Sequence, residues 1–382
     1  MNTEQEYTKQ LSSEVTTKDI VNGIADEYGV VYSKDGTRLL KCQNTQLTDY
    51  NIKNGTLVIG DDSFNNCTSV QQISIPDTVK IVGSGAFEGC SSLVQVTMLD
   101  SVTDIYNDAF MGCSALRQIT LSNSLKYIAG GVFYACSSLQ QLDIPDSVTK
   151  IYSYAINHCT SLKRITIPRS ITKIEYRSFC CCTSVEQIDI PDTVTEIDAD
   201  AFEGCSGIKQ ITIPDSVTNI GPSAFTYCTS LQQITIPNSI THIHSFTFGY
   251  CNLLKKVTIP KSVKSIDASA FAYCPSLSEI EIIDNPLFVF ENKMLIEVAP
   301  RRLLRYFGYE SCVIVPHSIK AIGDNAFNFN ANLRQIGIPD SVEEIKEDFW
   351  ACDSLQEIII PDGKEEKFKK LLSERLWDKI VV

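Results

Sequence analysis

The sequence has 382 residues, of which 43% are apolar and 21% are charged, and it carries a formal net charge of −13. This apolar fraction is enough for a large buried core, and no stretch has the roughly 20 apolar residues of a membrane-spanning helix, so disorder and membrane insertion are excluded. The excess of acidic residues argues against nucleic acid as a partner, because phosphate binding needs clustered positive charge.

The N-terminal part of the chain is predicted to be a weakly ordered segment followed by a cap. Residues 1–23 are polar and lack the apolar run of a secretory signal. We expect weak order there, and a cytoplasmic location if the chain is complete; a trimmed N-terminus would favour the cell surface or secretion. In residues 24–59, Asp35-Gly36 is a turn signal between apolar stretches, which predicts a β-hairpin cap.

An internal repeat dominates residues 60–283. An anchor residue recurs every 23 positions, which predicts ten stacked coils. Within a unit, Ile211 and Ile213 alternate with polar residues and Pro214 ends the run, so each coil should contain a short strand. One coil cannot bury its own apolar edge, so the coils must stack. The anchors are Phe64, Phe87, Phe110, Phe133, Ile156, Phe179, Phe202, Phe225, Phe248 and Phe271.

The repeat motif points to a known family. A Phe-x-x-Cys-x-x-Leu segment followed by Ile-x-Ile-Pro, as in residues 225–237, resembles the BspA-like leucine-rich repeats, a bacterial surface-type family. The resemblance implies a leucine-rich-repeat solenoid, a right-handed β/α horseshoe that is mostly β, with short turns or 3-10 segments and a parallel sheet on its concave face. It also implies a non-enzymatic interaction or adhesion scaffold, which binds matrix or host proteins.

The C-terminal third contains an interruption, two more repeats and a second cap. Residues 284–320 resemble the N-terminal hairpin, and we interpret them as an irregular hairpin insertion in a continuous stack; a bend between two subdomains is the alternative. Residues 321–361 hold two further units with anchors Phe327 and Phe349. Residues 362–382 predict an amphipathic helical cap, because four apolar residues share one helical face. These are Phe368, Leu371, Leu372 and Leu376.

The cysteines form a column three residues after the anchors. We interpret the column as buried, reduced and structural, with an inward polar group bonding the backbone; disulfides and metal sites are the alternatives. Cys180 and Cys181 lie beside the column and are expected on the outer turn, where they would be oxidisable. The column consists of Cys67, Cys90, Cys113, Cys136, Cys159, Cys182, Cys205, Cys228, Cys251, Cys274, Asn330 and Cys352.

Catalytic chemistry is not indicated. A periodic sequence places similar side chains in rows, whereas catalysis needs a unique asymmetric cluster. His242 and His244 are two residues apart; a metal pair is conceivable, but exposed outer-face histidines are the favoured interpretation. We therefore predict no enzyme, no catalytic residue, no metal and no cofactor. A metal-dependent enzyme using these histidines or the extra cysteines is the weaker alternative.

Departures from the polar rows are the candidate binding residues. The residues eight and ten positions after each anchor are mostly polar, and we predict that they lie exposed on the strands as two rows. Two basic pairs interrupt these rows, Lys163-Arg164 and Lys255-Lys256. Tyrosines two residues after three successive anchors are predicted to stack along one edge, either as a binding strip or as a local packing patch. They are Tyr227, Tyr250 and Tyr273. We predict a monomer that binds a protein, or alternatively a carbohydrate through these tyrosines.

Overall fold

The computed structural model describes residues 11–346 and 349–382, and most of its regular structure is short strands stacked in parallel coils. This confirms the predicted β-rich solenoid. The chain divides into two compact units, Met1–Thr229 and Ser230–Val382, which are described in turn. The boundary between them does not coincide with the interruption at residues 284–320, which lies inside the second unit.

Helix α1, Thr17–Asn22, opens the described part of the first unit. The Thr16 hydroxyl accepts a hydrogen bond from the Asp19 N–H at 3.2 Å, and the Asp19 carboxylate accepts one from the Thr16 N–H at 2.9 Å. This reciprocal capping box satisfies two backbone donors that would otherwise lack partners. The weak order expected for residues 1–23 remains a prediction, and residues 1–10 lie outside the described residues.

A three-stranded antiparallel segment follows, formed by Ile24–Ala25, Val30–Tyr32 and Arg38–Cys42. Its last strand then pairs in parallel with Val58–Ile59, so the hairpin leads directly into the first coil. Gly36, with φ of +74°, makes the tight turn.

Three-residue strands form the first row of the solenoid in this unit. They pair in parallel with a 23-residue register, as Ile73 does with Val96. The middle residue of each is buried and its two neighbours are exposed, in line with the predicted polar rows. Isolated bridges from Gln118 to Gln141 and from Asp189 to Thr212 extend the same register. The strands are Asp49–Asn51, Gln72–Ser74, Gln95–Thr97, Gln118–Thr120, Arg164–Thr166 and Gln187–Asp189.

A second row of strands, each two residues long, runs through the same coils. The final apolar residue of each is buried, which holds this segment against the core. The sequence predicted apolar contacts from this segment, but it did not predict that the segments pair with one another. The strands are Val58–Ile59, Ile81–Val82, Asp104–Ile105, Tyr127–Ile128, Lys150–Ile151, Lys173–Ile174, Glu196–Ile197 and Asn219–Ile220.

The anchor residues form the centre of the core. The rings of Phe64 and Phe87 stack with centroids 5.3 Å apart, and Phe87 and Phe110 stack at 5.2 Å. Phe202 lies between Phe179, at 5.6 Å, and Phe225, at 5.4 Å. The stacked rings lie within the range of favourable aromatic contacts, so each anchor stabilises its neighbours.

The second unit has a first row of its own, with strands of two to four residues. This row consists of Gln233–Thr235, Lys256–Ile259, Glu279–Ile282, Cys312–Ile314, Gln335–Gly337, Glu357–Ile359 and Ile380–Val381. The second row consists of His242–Ile243, Ser265–Ile266, Ala321–Ile322 and Glu344–Ile345.

The interruption in this unit is a three-stranded antiparallel segment of Phe288–Glu291, Met294–Glu297 and Arg302–Tyr306. Its last strand pairs in parallel with Ala321–Ile322, as the N-terminal hairpin does with its first coil. The insertion is therefore one irregular coil within the second unit.

The C-terminal segment covers the last coil. Helix α2, Glu365–Leu371, buries Phe368, and a 3-10 helix, Glu374–Lys379, buries Leu376. The chain then returns as Ile380–Val381, which pairs in parallel with Glu357–Ile359. The sequence predicted helix for this segment but not the closing strand, which covers the edge of the sheet.

Candidate binding surface

Residues two positions after the anchors share a left-handed backbone. Their φ angles include +69° at Gly89 and +71° at Gly204, and they include +57° at Tyr250 and +56° at Tyr273. The backbone N–H of these residues bonds to the next coil, as from Tyr250 to the Ala272 carbonyl at 2.8 Å. Because glycine adopts positive φ without strain, the fold itself does not require tyrosine here.

Four aromatic residues lie in contact on the second unit. The rings of Tyr250 and Tyr273 stack at 4.0 Å, Tyr273 lies 3.7 Å from Phe329, and Phe329 meets Trp350 edge-on at 4.9 Å. Trp350 is 54% exposed, and the other three are half-buried. We call Tyr250, Tyr273, Phe329 and Trp350 the aromatic strip. Tyr227, the third predicted tyrosine, lies in the first unit and is exposed.

Sequence reasoning missed Phe329 and Trp350. Phe329 follows Phe327 by two residues and has the same left-handed backbone, with φ of +68°. Its position two residues after an anchor could therefore have placed it beside the tyrosines. The interruption, however, separates Phe327 from the anchors that precede those tyrosines. Trp350 follows Phe349 directly and had no such signal.

Two cavities adjoin the strip. One, of about 210 Å³, is lined by Tyr250, Tyr273 and Phe329 together with Arg305 and Tyr309. The other, of about 460 Å³, is lined by Phe329, Trp350 and Arg305 among others. Arg305 is buried in the shared wall, where its guanidinium donates to the Asn325 carbonyl at 2.8 Å and to the Asn328 carbonyl at 3.1 Å. These bonds hold a positively charged group in place beside the aromatic rings.

The predicted basic pairs do not form a free basic patch. Arg164 bonds Asp189 at 2.7 Å, and Lys256 bonds Glu279 at 2.7 Å and Glu281 at 3.0 Å. These carboxylates belong to the following coil and offset the basic charge. Their neighbours Lys163 and Lys255 are exposed, and among the described residues no ion pair involves either one.

The cysteine column bonds one coil to the next. The Cys113 thiol donates to the Phe87 carbonyl at 3.1 Å, and the Cys136 thiol donates to the Phe110 carbonyl at 3.2 Å. Asn330 donates to the Phe327 carbonyl at 2.8 Å, within its own coil. Burial raises the pKa of the Cys159 thiol to about 12, so such a thiol stays protonated and unreactive. In residues 11–346 and 349–382, no disulfide joins any two of the fifteen cysteines.

Cys180 and Cys181 differ from the column. Their sulfur atoms lie 3.5 Å apart, Cys180 is buried and Cys181 is half-buried. The hydrogen bond donated by the Cys180 thiol lowers the pKa of Cys181 to about 7. The predicted outer-turn exposure therefore applies to Cys181 and not to Cys180.

Thiol labelling should separate these two classes of cysteine. In native protein, we expect a disulfide reagent to label Cys181 and the exposed Cys312 quickly and the column cysteines only after unfolding. In a Cys312→Ser variant, the labelling rate at Cys181 should rise as pH increases through about 7, because the thiolate forms above the pKa. Mass spectrometry of the labelled peptides provides the measurement, and fast labelling of Cys136 in folded protein would contradict the burial argument.

Comparison with known proteins supports the architecture. The BspA type leucine rich repeat region matches residues 41–163, 172–292 and 307–374, which is well over half of the chain. The chain belongs to the BspA type leucine-rich repeat family. Members of this family generally act as protein-interaction scaffolds. In the part of the chain that the structure describes, no helix has both the length and the apolar character needed to cross a bilayer.

Solved structures of leucine-rich repeat proteins from bacteria are similar to this chain. A leucine-rich repeat protein from Bacteroides ovatus is 24% identical with a TM-score of 0.68, covering 94% of this chain and 96% of its own. A leucine rich cell surface protein from Faecalibacterium prausnitzii is 28% identical with a TM-score of 0.59, covering 92% of this chain and 98% of its own. A search of curated proteins finds no match.

Proposed function

We propose that this BspA type repeat protein is a non-enzymatic scaffold that binds a protein partner through the aromatic strip. The observation that carries the proposal is the contact of four aromatic rings, three of which, Tyr250, Tyr273 and Phe329, stand at positions where the backbone favours glycine. Aromatic side chains beside pockets are typical anchors of protein interfaces. Partner side chains would enter the cavities beside Phe329 and Arg305.

A protein partner fits the strip better than a carbohydrate does. Sugars bind aromatic residues by stacking on an open ring face. The faces of Tyr250 and Tyr273 lie against each other at 4.0 Å with only 15° between the ring planes. The exposed ring edges and the Trp350 side chain suit a mixed apolar and polar protein surface instead.

A location at the cell surface fits this proposal. The Faecalibacterium prausnitzii protein that this chain resembles is described as a cell surface protein. The cytoplasmic location expected for a complete chain is the competing prediction, so a partner should be sought in both compartments. That the protein is a monomer remains a separate prediction.

Substitution of Tyr273 by glycine tests the proposal. We expect partner affinity to fall at least tenfold, because a buried interface aromatic typically contributes about 2 kcal/mol or more. The fold should persist, since glycine relieves about 1–2 kcal/mol of left-handed strain and offsets the lost stacking of about 0.5–1.5 kcal/mol. The measurement is photo-cross-linking from position 350 in surface and cytosolic fractions of the native cell, followed by affinity measurement with the captured protein.

The matched control is Ala135→Gly, which changes the same backbone position in the first unit, where φ is +58°. This variant should bind the partner as the unmodified protein does. Equal affinity of Tyr273→Gly, Trp350→Ala and unmodified protein for the captured partner would rule out the aromatic strip as the binding surface.

A further inference from the structure

The second row of strands in the second unit brings two histidines and an aspartate together. His242 and His244 are two residues apart in extended backbone, so their side chains lie on the same side. Asp267 follows Phe248 by the same number of residues as His244 follows Phe225, so the two occupy equivalent positions in successive coils. Neighbouring strands lie about 4.8 Å apart, which brings equivalent side chains within reach of one ion.

The observed distances agree with this placement. His242 Nε2 lies 3.3 Å from Asp267 Oδ1, and the two imidazole rings are 4.1 Å apart. One ligand atom from each of the three residues lies within 4.8 Å of the others. All three side chains are half-buried, so an ion there would be partly shielded yet reachable from solvent.

A second contact orients the first imidazole. His242 pairs with Ser265 in the parallel register, and its Nδ1 hydrogen-bonds the Ser265 hydroxyl. This bond directs Nε2 toward Asp267. Metal-binding histidines are commonly oriented by such a bond at the other ring nitrogen.

The equivalent positions in the first unit hold a lysine and three carboxylates. There Lys173 bonds Glu196 at 3.3 Å and Asp198 at 3.2 Å, and it lies 3.8 Å from Glu175. A lysine ammonium thus offsets the carboxylates in that cluster. In the second unit two imidazoles, those of His242 and His244, occupy the places of Lys173 and Glu175. A neutral imidazole offers a lone pair to a metal ion.

We propose that His242, His244 and Asp267 bind a divalent transition-metal ion of the Zn²⁺ class. Two imidazole nitrogens and one carboxylate oxygen are a common ligand set for Zn²⁺ and leave a coordination position for water or for a partner's side chain. This proposal replaces our sequence-based interpretation of these histidines as ordinary exposed residues. Asp267 was missed because it lies in the next coil and comes near the histidines only through stacking.

Zinc titration of the full chain tests the site. By isothermal titration calorimetry, we expect one Zn²⁺ to bind per chain at this site, and both His244→Ala and Asp267→Asn to weaken that binding at least tenfold. The matched controls are His158→Ala and His317→Ala, which remove histidines outside the cluster and should leave the affinity unchanged. All variants should retain the circular dichroism spectrum of the unmodified protein.

Substitution of Zn²⁺ by Co²⁺ distinguishes this site from the cysteines. Binding at the cluster should give a Co²⁺ spectrum without the charge-transfer band of thiolate ligands, and that spectrum should be lost in His244→Ala. A thiolate band, an affinity that is the same in His244→Ala and the control variants, or no binding of either metal would overturn the proposal.

Discussion

Replacing Phe202 with alanine is expected to lower the free energy of unfolding of the first unit by about 3–5 kcal/mol. The Phe202 ring is fully buried and stacks on Phe179 at 5.6 Å and on Phe225 at 5.4 Å. Its removal would leave a cavity in the middle of the stack, which the coils on either side cannot close without breaking their backbone hydrogen bonds.

Both tryptophans, Trp350 and Trp377, lie in the second unit. Urea unfolding should therefore be followed by far-ultraviolet circular dichroism and not by tryptophan fluorescence.

Phe202→Ile is the control for this prediction. Isoleucine already occupies an anchor position at Ile156, where it is buried. The isoleucine variant should therefore lose only about 1 kcal/mol, since most of the apolar volume is kept. If the alanine and isoleucine variants unfolded at the same urea concentration, the stacked anchors would not be the main source of stability.

Replacing Gly204 with proline is expected to destabilise the first unit by about 3 kcal/mol or more. The Gly204 N–H donates to the Thr226 carbonyl of the next coil at 2.7 Å, and its φ is +71°. Proline removes the donor and holds φ near −65°, so the chain must change its path between two coils. The midpoint of urea unfolding, again followed by circular dichroism, measures the effect.

The Gly204→Ala variant separates the loss of the N–H donor from the strain of a side chain at positive φ. Alanine keeps the N–H, and its Cβ would lie 3.1 Å from the Cys181 sulfur, which is a side-chain atom and not backbone. Only the left-handed strain of about 1–2 kcal/mol should remain. A proline variant as stable as the alanine variant would mean that the bond between the coils contributes little.

The features that the sequence predicted are those set by its period. From Phe64 to Cys274 the anchors and the cysteine column recur every 23 residues, so their positions on the coil follow from the spacing alone. The pairing of Tyr250 with Tyr273 follows from the same argument. The family resemblance then supplied the expected stacking, which the structure and the matching family region confirm.

The features that the sequence did not predict arise between coils or outside the period. Asp189 offsets the charge of Arg164, although each residue was assigned to a polar row by itself. Asp267 joins His244 through stacking, and Phe329 joins Tyr273 across the irregular coil. Such contacts depend on side-chain direction and on the path of the interruption, which periodicity does not determine.

The bonds between coils also bear on how a gene for such a protein changes over time. The Cys136 thiol reaches the carbonyl of Phe110, 26 residues earlier, and Ile128 pairs with Ile151, 23 residues later. If recombination removed or duplicated one whole 23-residue segment inside the first unit, every donor would meet an equivalent acceptor in the new neighbouring coil. Loss of 22 or 24 residues would instead leave one coil a residue longer or shorter, as in the second unit, where Ile336 pairs with Ile358 at a spacing of 22. The number of coils can therefore change by whole units during evolution, while the buried residues of each coil and their bonds stay the same.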